Sequence, residues 1–121
     1  MGSPEQMFEN LNTAVVACDA DFKITYANPK CKEVFKAAMQ TEDFVGNHMA
    51  DCHKPETMEI LEGLFAEYRE KKRKLYYYTM DTPDGKATLV NVPFYEGDTF
   101  AGVVEFIFEG SLASPAKFCH R

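Results

Sequence analysis

Hydrophobic and polar positions divide the chain into a strand-dense last third, a helical middle and a mixed first half. In the last third, apolar and aromatic residues crowd three segments, 74–81, 86–94 and 99–108. Thr82-Pro83-Asp84-Gly85 and Glu96-Gly97-Asp98 separate them, where proline presets a turn and glycine accepts positive φ. These segments predict an antiparallel meander, one face of which has to be covered. Residues 55–72 predict the cover, a long helix opened by Pro55. Met58, Leu61, Phe65 and Tyr68 form one stripe, Ile60 and Leu64 widen it, and Glu59, Glu62, Glu67 and Glu70 point away.

The first half adds two strands and shorter helices. Residues 13–18 and 23–27 are strand-like, and Asp19-Ala20-Asp21 between them makes a hairpin. After Asn28-Pro29 the spacing of Cys31, Val34, Phe35 and Ala38 predicts a helix. A single turn is expected over 41–45, broken by Gly46 and Asn47. At the start, Ser3-Pro4-Glu5-Gln6 has the form of a helix N-terminus: serine caps, proline follows, and glutamine stands three residues on. Met7, Phe8 and Leu11 then share one side of a helix too short to stand alone. It needs a surface, either the outer face of the sheet or a second copy of the chain. The division is a cap helix over 1–12, one α+β domain over 13–108 and a tail over 109–121.

Composition narrows the class. The chain has 121 residues, of which 45% are hydrophobic, enough for one core. A net charge of −6 argues against a nucleic-acid partner. The one basic run, Lys71-Lys72-Arg73-Lys74, is read as closing the long helix, where cations suit the negative end of the dipole. No apolar run is long enough to span a membrane and no signal peptide opens the sequence, so a cytoplasmic location is expected. Cys18, Cys31, Cys52 and Cys119 stand singly, which suggests neither a disulfide framework nor a paired-cysteine zinc site.

With these residues in this order, the chain resembles a PAS sensory domain over roughly residues 6–108. Ile24-Thr25-Tyr26-Ala27-Asn28-Pro29 looks like the end of the first PAS hairpin and the asparagine that follows it. Val45-Gly46 looks like the glycine before the central helical segment, and Phe100-Ala101-Gly102-Val103-Val104-Glu105 like the final strand. Cys52-His53-Lys54-Pro55 is similar to the Cys-His-Pro stretch of a subgroup of bacterial PAS domains. The resemblance implies a five-stranded antiparallel sheet in the order 2-1-5-4-3, with helices forming a pocket on one face. It implies sensing or protein association rather than catalysis. It also implies a homodimer formed through the N-terminal helix and the outer sheet, with Met7, Phe8 and Leu11 as contact residues.

Several residues are candidates for chemistry. The expected ligand pocket is lined by Val34, Phe35 and Phe44 from the short helices, by Met58, Leu61 and Phe65 from the long helix, and by Tyr78 and Asn91 from the sheet. Either Tyr76, Tyr78 and Met80 or Leu75, Tyr77 and Thr79 face inward; the pattern does not choose. Asn91 interrupts an apolar strand and, if buried, has to find a partner. His53 is a candidate axial ligand for haem, with His48 a weaker one; its alternative role is to close the loop before the long helix. Cys52, near a helix N-terminus, is a candidate redox thiol or an inert structural cysteine. Gly46-Asn47-His48 lacks the cysteine that covalent flavin chemistry needs. Ala116 stands where a c-type haem site would need a cysteine before Cys119-His120. Joining Cys52-His53 with Cys119-His120 as zinc ligands would require adjacent side chains to reach one metal.

No phosphate loop, nucleophile elbow or helical His pair is present, so no enzymatic activity is expected. The chain reads as a non-catalytic sensory module that binds a small ligand or mediates association. Its output would pass through a signalling partner or an output domain carried elsewhere. The rivals are a haem-based redox or gas sensor using His53 and a ligand-free dimerisation domain.

Overall fold

The computed structural model describes residues 3–39, 44–51, 53–83 and 85–110, with the side chains of 35–39 left aside. The elements are α1 (Pro4–Glu9), β1 (Ala14–Asp19), β2 (Ile24–Ala27), α2 (Pro29–Met39), a 3-10 turn (Met49–Asp51), α3 (Pro55–Arg69), β3 (Tyr76–Thr82), β4 (Gly85–Glu96) and β5 (Thr99–Glu109). The expected cap of α1 is formed. The Gln6 amide donates to Ser3 Oγ at 3.2 Å, and the Ser3 amide donates to Gln6 Oε1 at 2.8 Å.

All five strands join one antiparallel sheet in the order β2-β1-β5-β4-β3. The expected order is observed, and the fold is α+β. The chain-terminal strand β5 sits in the middle, paired with β1 through Ala14↔Ile107 to Asp19↔Gly102. That pairing closes the sheet between segments some ninety residues apart.

Strand alternation sorts the side chains into two faces. On the helix side, Cys18, Phe100 and Val103 pack with Leu64, Phe65 and Tyr68 of α3. Ala14, Ile24 and Ala27 pack with Cys31 of α2 and with Phe44. The aromatic part is dense. Phe65 stacks on Phe22 at 4.2 Å between centroids and meets Phe100 edge-on at 5.2 Å. Phe22 holds a positive φ of 68° in the β1–β2 turn, and this stack offsets the strain of that conformation.

Gly102 is needed where β5 passes β1. An ideal Cβ there would lie 2.1 Å from the Cys18 carbonyl oxygen and 3.0 Å from Phe94 Cε1. The close approach coincides with an irregularity in the β4–β5 register between Phe94 and Tyr95.

Three expectations are corrected. The long helix ends at Arg69 rather than residue 72, because Lys71 turns to φ 58° and cannot continue it. The basic run therefore lies beyond the last helical turn. Lys71, Lys72 and Arg73 form exposed ion pairs with Asp98, Glu70 and Glu67. Ile60 does not widen the buried stripe; it is 60% exposed. The turn expected over 41–45 lies largely outside the described residues.

Candidate functional site

Two polar residues stand opposite each other in the apolar sheet. Asn91 of β4 pairs with Glu105 of β5, and Glu105 pairs on its other side with Val16 of β1. Alternation places both on the helix face, since Val103 and Ile107 flank Glu105 and both join the core. The Asn91 neighbour on β3 is Tyr76, which also packs against the core. The undecided phase of β3 is thereby resolved: Tyr76, Tyr78 and Met80 share the helix face.

Asn91 is 3% exposed. Its Oδ1 accepts a hydrogen bond from the Tyr68 hydroxyl at 2.8 Å, and its Nδ2 donates to Glu105 Oε2 at 3.4 Å. Tyr68 is held in turn by its backbone, whose carbonyl accepts from the Tyr95 hydroxyl at 2.8 Å. A four-residue chain, Tyr95–Tyr68–Asn91–Glu105, thus runs from β4 through α3 into the sheet centre. The bond to Glu105 is long for its type, and it is the only one its carboxyl makes among the described residues.

Beside this pair lies a cavity of about 40 Å³, lined by Val16, Cys18, Ile24, Phe44, Val103 and the polar groups of His53, Asn91 and Glu105 among others. The middle segment reaches it because it is laced along the open edge of β2. The Ile24 amide donates to the Asn47 carbonyl at 2.9 Å, the Gly46 amide to the Ile24 carbonyl at 2.7 Å, and the Met49 amide to the Phe22 carbonyl at 2.8 Å. These bonds protect the edge strand and hold Phe44 and Met49 over the sheet. His53 follows from the same anchor, its Nδ1 donating to the Met49 carbonyl at 2.9 Å.

Burial sets the titration of the site. Desolvation pushes the Glu105 carboxyl above its ordinary range, against the opposing effect of the Asn91 bond. Burial also pushes the Cys18 and Cys31 thiols up to about 12, with the Glu105 charge adding to both. Tyr68 is pushed up to about 12, again chiefly by burial. Among the described residues, the Asn91 bond is the one interaction that favours the charged form of the carboxyl.

Of the residues expected to line a pocket, Phe44 and Asn91 border this cavity, as does His53. Met58 and Phe65 are buried, and Phe65 belongs to the aromatic core beside it. Leu61 is partly buried against that core. Val34 is 39% exposed on α2 and Tyr78 is 42% exposed near the β3 edge, so neither reaches the cavity. For Tyr78 the physical reason is reach: α3 packs on β5 and β1 and leaves the outer part of β3 open. The side chain of Phe35 and all of Cys52, Cys119 and His120 lie outside the described residues. The sequence pattern gives Glu105 no functional weight, although one signal is present there, a lone carboxylate between Val103-Val104 and Phe106-Ile107.

The haem reading of His53 does not fit. The cavity measures about 40 Å³, far short of the room a porphyrin needs. Among the described residues, no group of three or more His, Cys, Asp or Glu is placed to hold a metal. No helix there is long and apolar enough to cross a membrane.

The opposite face of the sheet is apolar too. α1 covers its β1–β2 end, where the Tyr26 hydroxyl donates to Glu9 at 2.6 Å and Val15 is buried. Asn28 fixes the connection, its Nδ2 donating to the Phe8 carbonyl at 2.9 Å and to the Thr13 carbonyl at 2.8 Å. The rest of that face carries Val90, Val92, Phe94, Val104, Phe106 and Phe108, with Phe106 and Phe108 stacked at 6.0 Å. Met7 is 61% exposed and Leu11 39% exposed, whereas Phe8 is half-buried.

Comparison with known proteins agrees with this architecture. A family model described as PAS domain matches residues 5–109. No curated protein matches the sequence. Among solved structures, a C-terminal domain from Streptococcus mutans is similar with a TM-score of 0.69 and 20% identity, covering 85% of this chain and 79% of its own. The PAS domain of BvgS from Bordetella pertussis gives a TM-score of 0.63 at 8% identity, covering 89% of this chain and 84% of its own. A sensory box sensor histidine kinase from Vibrio cholerae gives 0.57 at 15% identity, covering 86% of each chain. With the strand order, the covering helices and the match over nearly its whole length in agreement, the chain belongs to the PAS domain family of sensory and signalling modules.

Proposed function

We propose that this PAS domain is a non-catalytic sensor that takes a small molecule into the Glu105 cavity and reports its occupancy through the outer face of the sheet to a second copy of the chain. The observation that supports the reading is a back-to-back placement. Asn91 and Glu105 face the cavity, while Val90, Val92, Val104 and Phe106 on the same two strands face outward. A ligand that shifts the β4–β5 pair on one side necessarily moves the apolar surface on the other. Its effect is a change in population between two arrangements, limited by its differential affinity for them. Met7 and Leu11 extend the outward surface. The signal then passes to a partner protein or output domain, in the cytoplasm.

Sedimentation velocity of the purified chain, together with native mass spectrometry of whatever it retains, tests this directly. A dimer that Phe106→Glu converts to monomer, with a ligand bound or a titratable cavity, is expected. A monomer at high micromolar concentration with an inert cavity sinks the proposal. The small cavity volume, about 40 Å³, favours one other reading, a ligand-free dimerisation domain with a nearly filled core. A dimer whose cavity resonances respond to no added small molecule is the outcome that selects it.

A further inference from the structure

We infer that the cavity is built for a small organic cation, a short primary ammonium compound whose charged head pairs with the Glu105 carboxylate and whose few carbons lie against Val16, Ile24, Phe44 and Val103. The inference rests on the cavity being a ligand site and adds the chemistry of the ligand.

Three features select that chemistry. The first is the state of Glu105. Its carboxyl lines the cavity and receives one long hydrogen bond among the described residues, from Asn91 Nδ2 at 3.4 Å. A carboxylate accepts about four hydrogen bonds, so most of its capacity is unused. Asn91 cannot serve it better, because the Tyr68 hydroxyl engages Asn91 Oδ1 at 2.8 Å and fixes the amide on its other side. An ionised carboxylate in this setting is costly until a countercharge arrives. An ammonium head supplies the charge and up to three donors at once. A neutral alcohol supplies a donor without the charge, and a carboxylate ligand adds repulsion.

The second feature is the remaining lining. Val16, Ile24, Phe44 and Val103 offer apolar surface, which suits a short hydrocarbon and disfavours a fully polar ion. The third is size. A cavity of about 40 Å³ suits a head with a short chain and disfavours bulky biogenic amines and nucleotides. The net charge of −6 also concentrates cations near the protein.

The test is a titration of the isotope-labelled full chain, followed by two-dimensional NMR, with ammonium, ethylammonium and propylammonium chlorides. Propanol and sodium propionate serve as isosteric probes at matched ionic strength. Saturable shifts at Val16, Ile24 and Val103 with propylammonium, at least about tenfold tighter than with propanol and absent with propionate, are expected. Glu105→Gln, which keeps shape and removes charge, should weaken propylammonium at least about tenfold and leave propanol unaffected. Glu105→Asp, which keeps the charge on a shorter arm, should fall between. Propanol or propionate binding as tightly as propylammonium, or an unaltered Glu105→Gln variant, overturns the cation inference and leaves the cavity as a ligand site. Silence of the cavity resonances to all five probes overturns both.

Discussion

The Tyr68 hydroxyl reaches across the core from the last turn of α3 and donates to Asn91 Oδ1 of β4 at 2.8 Å, with the Asn91 carbonyl oxygen 3.0 Å away. Together with the Tyr95 hydroxyl bound to the Tyr68 carbonyl it ties the long helix to the sheet, and both Tyr68 and Asn91 are buried. Tyr68→Phe keeps the packing and removes the donor, leaving a buried acceptor with no partner. The expected cost is about 1–3 kcal/mol in urea unfolding. Adding Asn91→Leu in a Glu105→Gln background should return part of that loss, because removing both partners of the Tyr68–Asn91 bond strands neither, and the Glu105→Gln background removes the charge that Asn91 otherwise serves. A double variant as unstable as the sum of the singles would show that the bond does not couple helix to sheet.

Gly102 is fixed by sterics as well as by its positive φ of 156°. With the Cys18 carbonyl 2.1 Å from the position of an added Cβ, Gly102→Ala has to push β5 away from β1. Because β5 is the central strand, the expected loss is roughly 3–5 kcal/mol. Gly63, in the interior of α3 with nothing within 4 Å, is the control. Gly63→Ala should gain about 0.5–1 kcal/mol in the same denaturation experiment.

Much of this fold was legible because its signals are local. The Ser3-Gln6 capping box, the Asp19 turn and the β3–β4–β5 meander each depend on neighbours in sequence, and each is formed as read. The strand order came from the family resemblance; β1 meeting β5 is a pairing that no local pattern encodes. The site was harder. Asn91 was noticeable as a polar break in an apolar strand, but its partners come from α3 and β5, and sequence spacing does not reveal them. Val34 and Tyr78 show the same limit from the other side. Both are exposed: α3 leaves the outer part of β3 open at Tyr78, and Val34 lies on the open side of α2. The glutamate that dominates the electrostatics looked like one charge in a strand until the register set it opposite Asn91.

Buried thiols should be chemically silent. Cys18 and Cys31 are 3% and 0% exposed, and burial pushes both thiols up to about 12. Reaction requires the thiolate, so labelling by iodoacetamide at pH 8 should run roughly a thousandfold slower than for a peptide thiol. In a Cys52→Ser, Cys119→Ser background, the rate should rise only when urea unfolds the domain. Fast labelling of the folded protein would mean that the core opens locally far more often than its packing suggests.

Asn28 joins the cap helix to the domain. It is fully buried, accepts from the Val15 amide at 3.0 Å and the Cys31 amide at 2.9 Å, and donates to the Phe8 and Thr13 carbonyls. Asn28→Ala should cost about 3 kcal/mol or more, since it strands buried backbone groups at once in β1, α2 and the α1 connection. Hydrogen exchange should show the largest loss of protection around Phe8 to Val15, together with weakened self-association. Undisturbed exchange in that segment would separate α1 from the Asn28 hub.

The last expectation concerns Glu105 and pH. Desolvation raises its folded-state pKa above the value of the unfolded chain, about 4.3 for a free glutamate. Below that unfolded pKa both states are protonated and the site costs nothing. As pH rises from there through the folded pKa, the unfolded state releases its proton more readily, so stability falls. Among the described residues, the neighbouring groups that feel its charge, Cys18 on β1, Cys31 on α2, Tyr68 on α3 and Tyr78 on β3, are weak acids and supply no cation. Glu105→Gln should therefore flatten this part of the pH profile and stabilise the domain at pH 7 by about 1–2 kcal/mol. The gain should vanish near pH 4, and propylammonium should stabilise the parent chain at pH 7 but not the variant. A Glu105→Gln protein less stable than its parent at pH 7 would show that the carboxylate already has its countercharge, and the cavity would have no use for a cation.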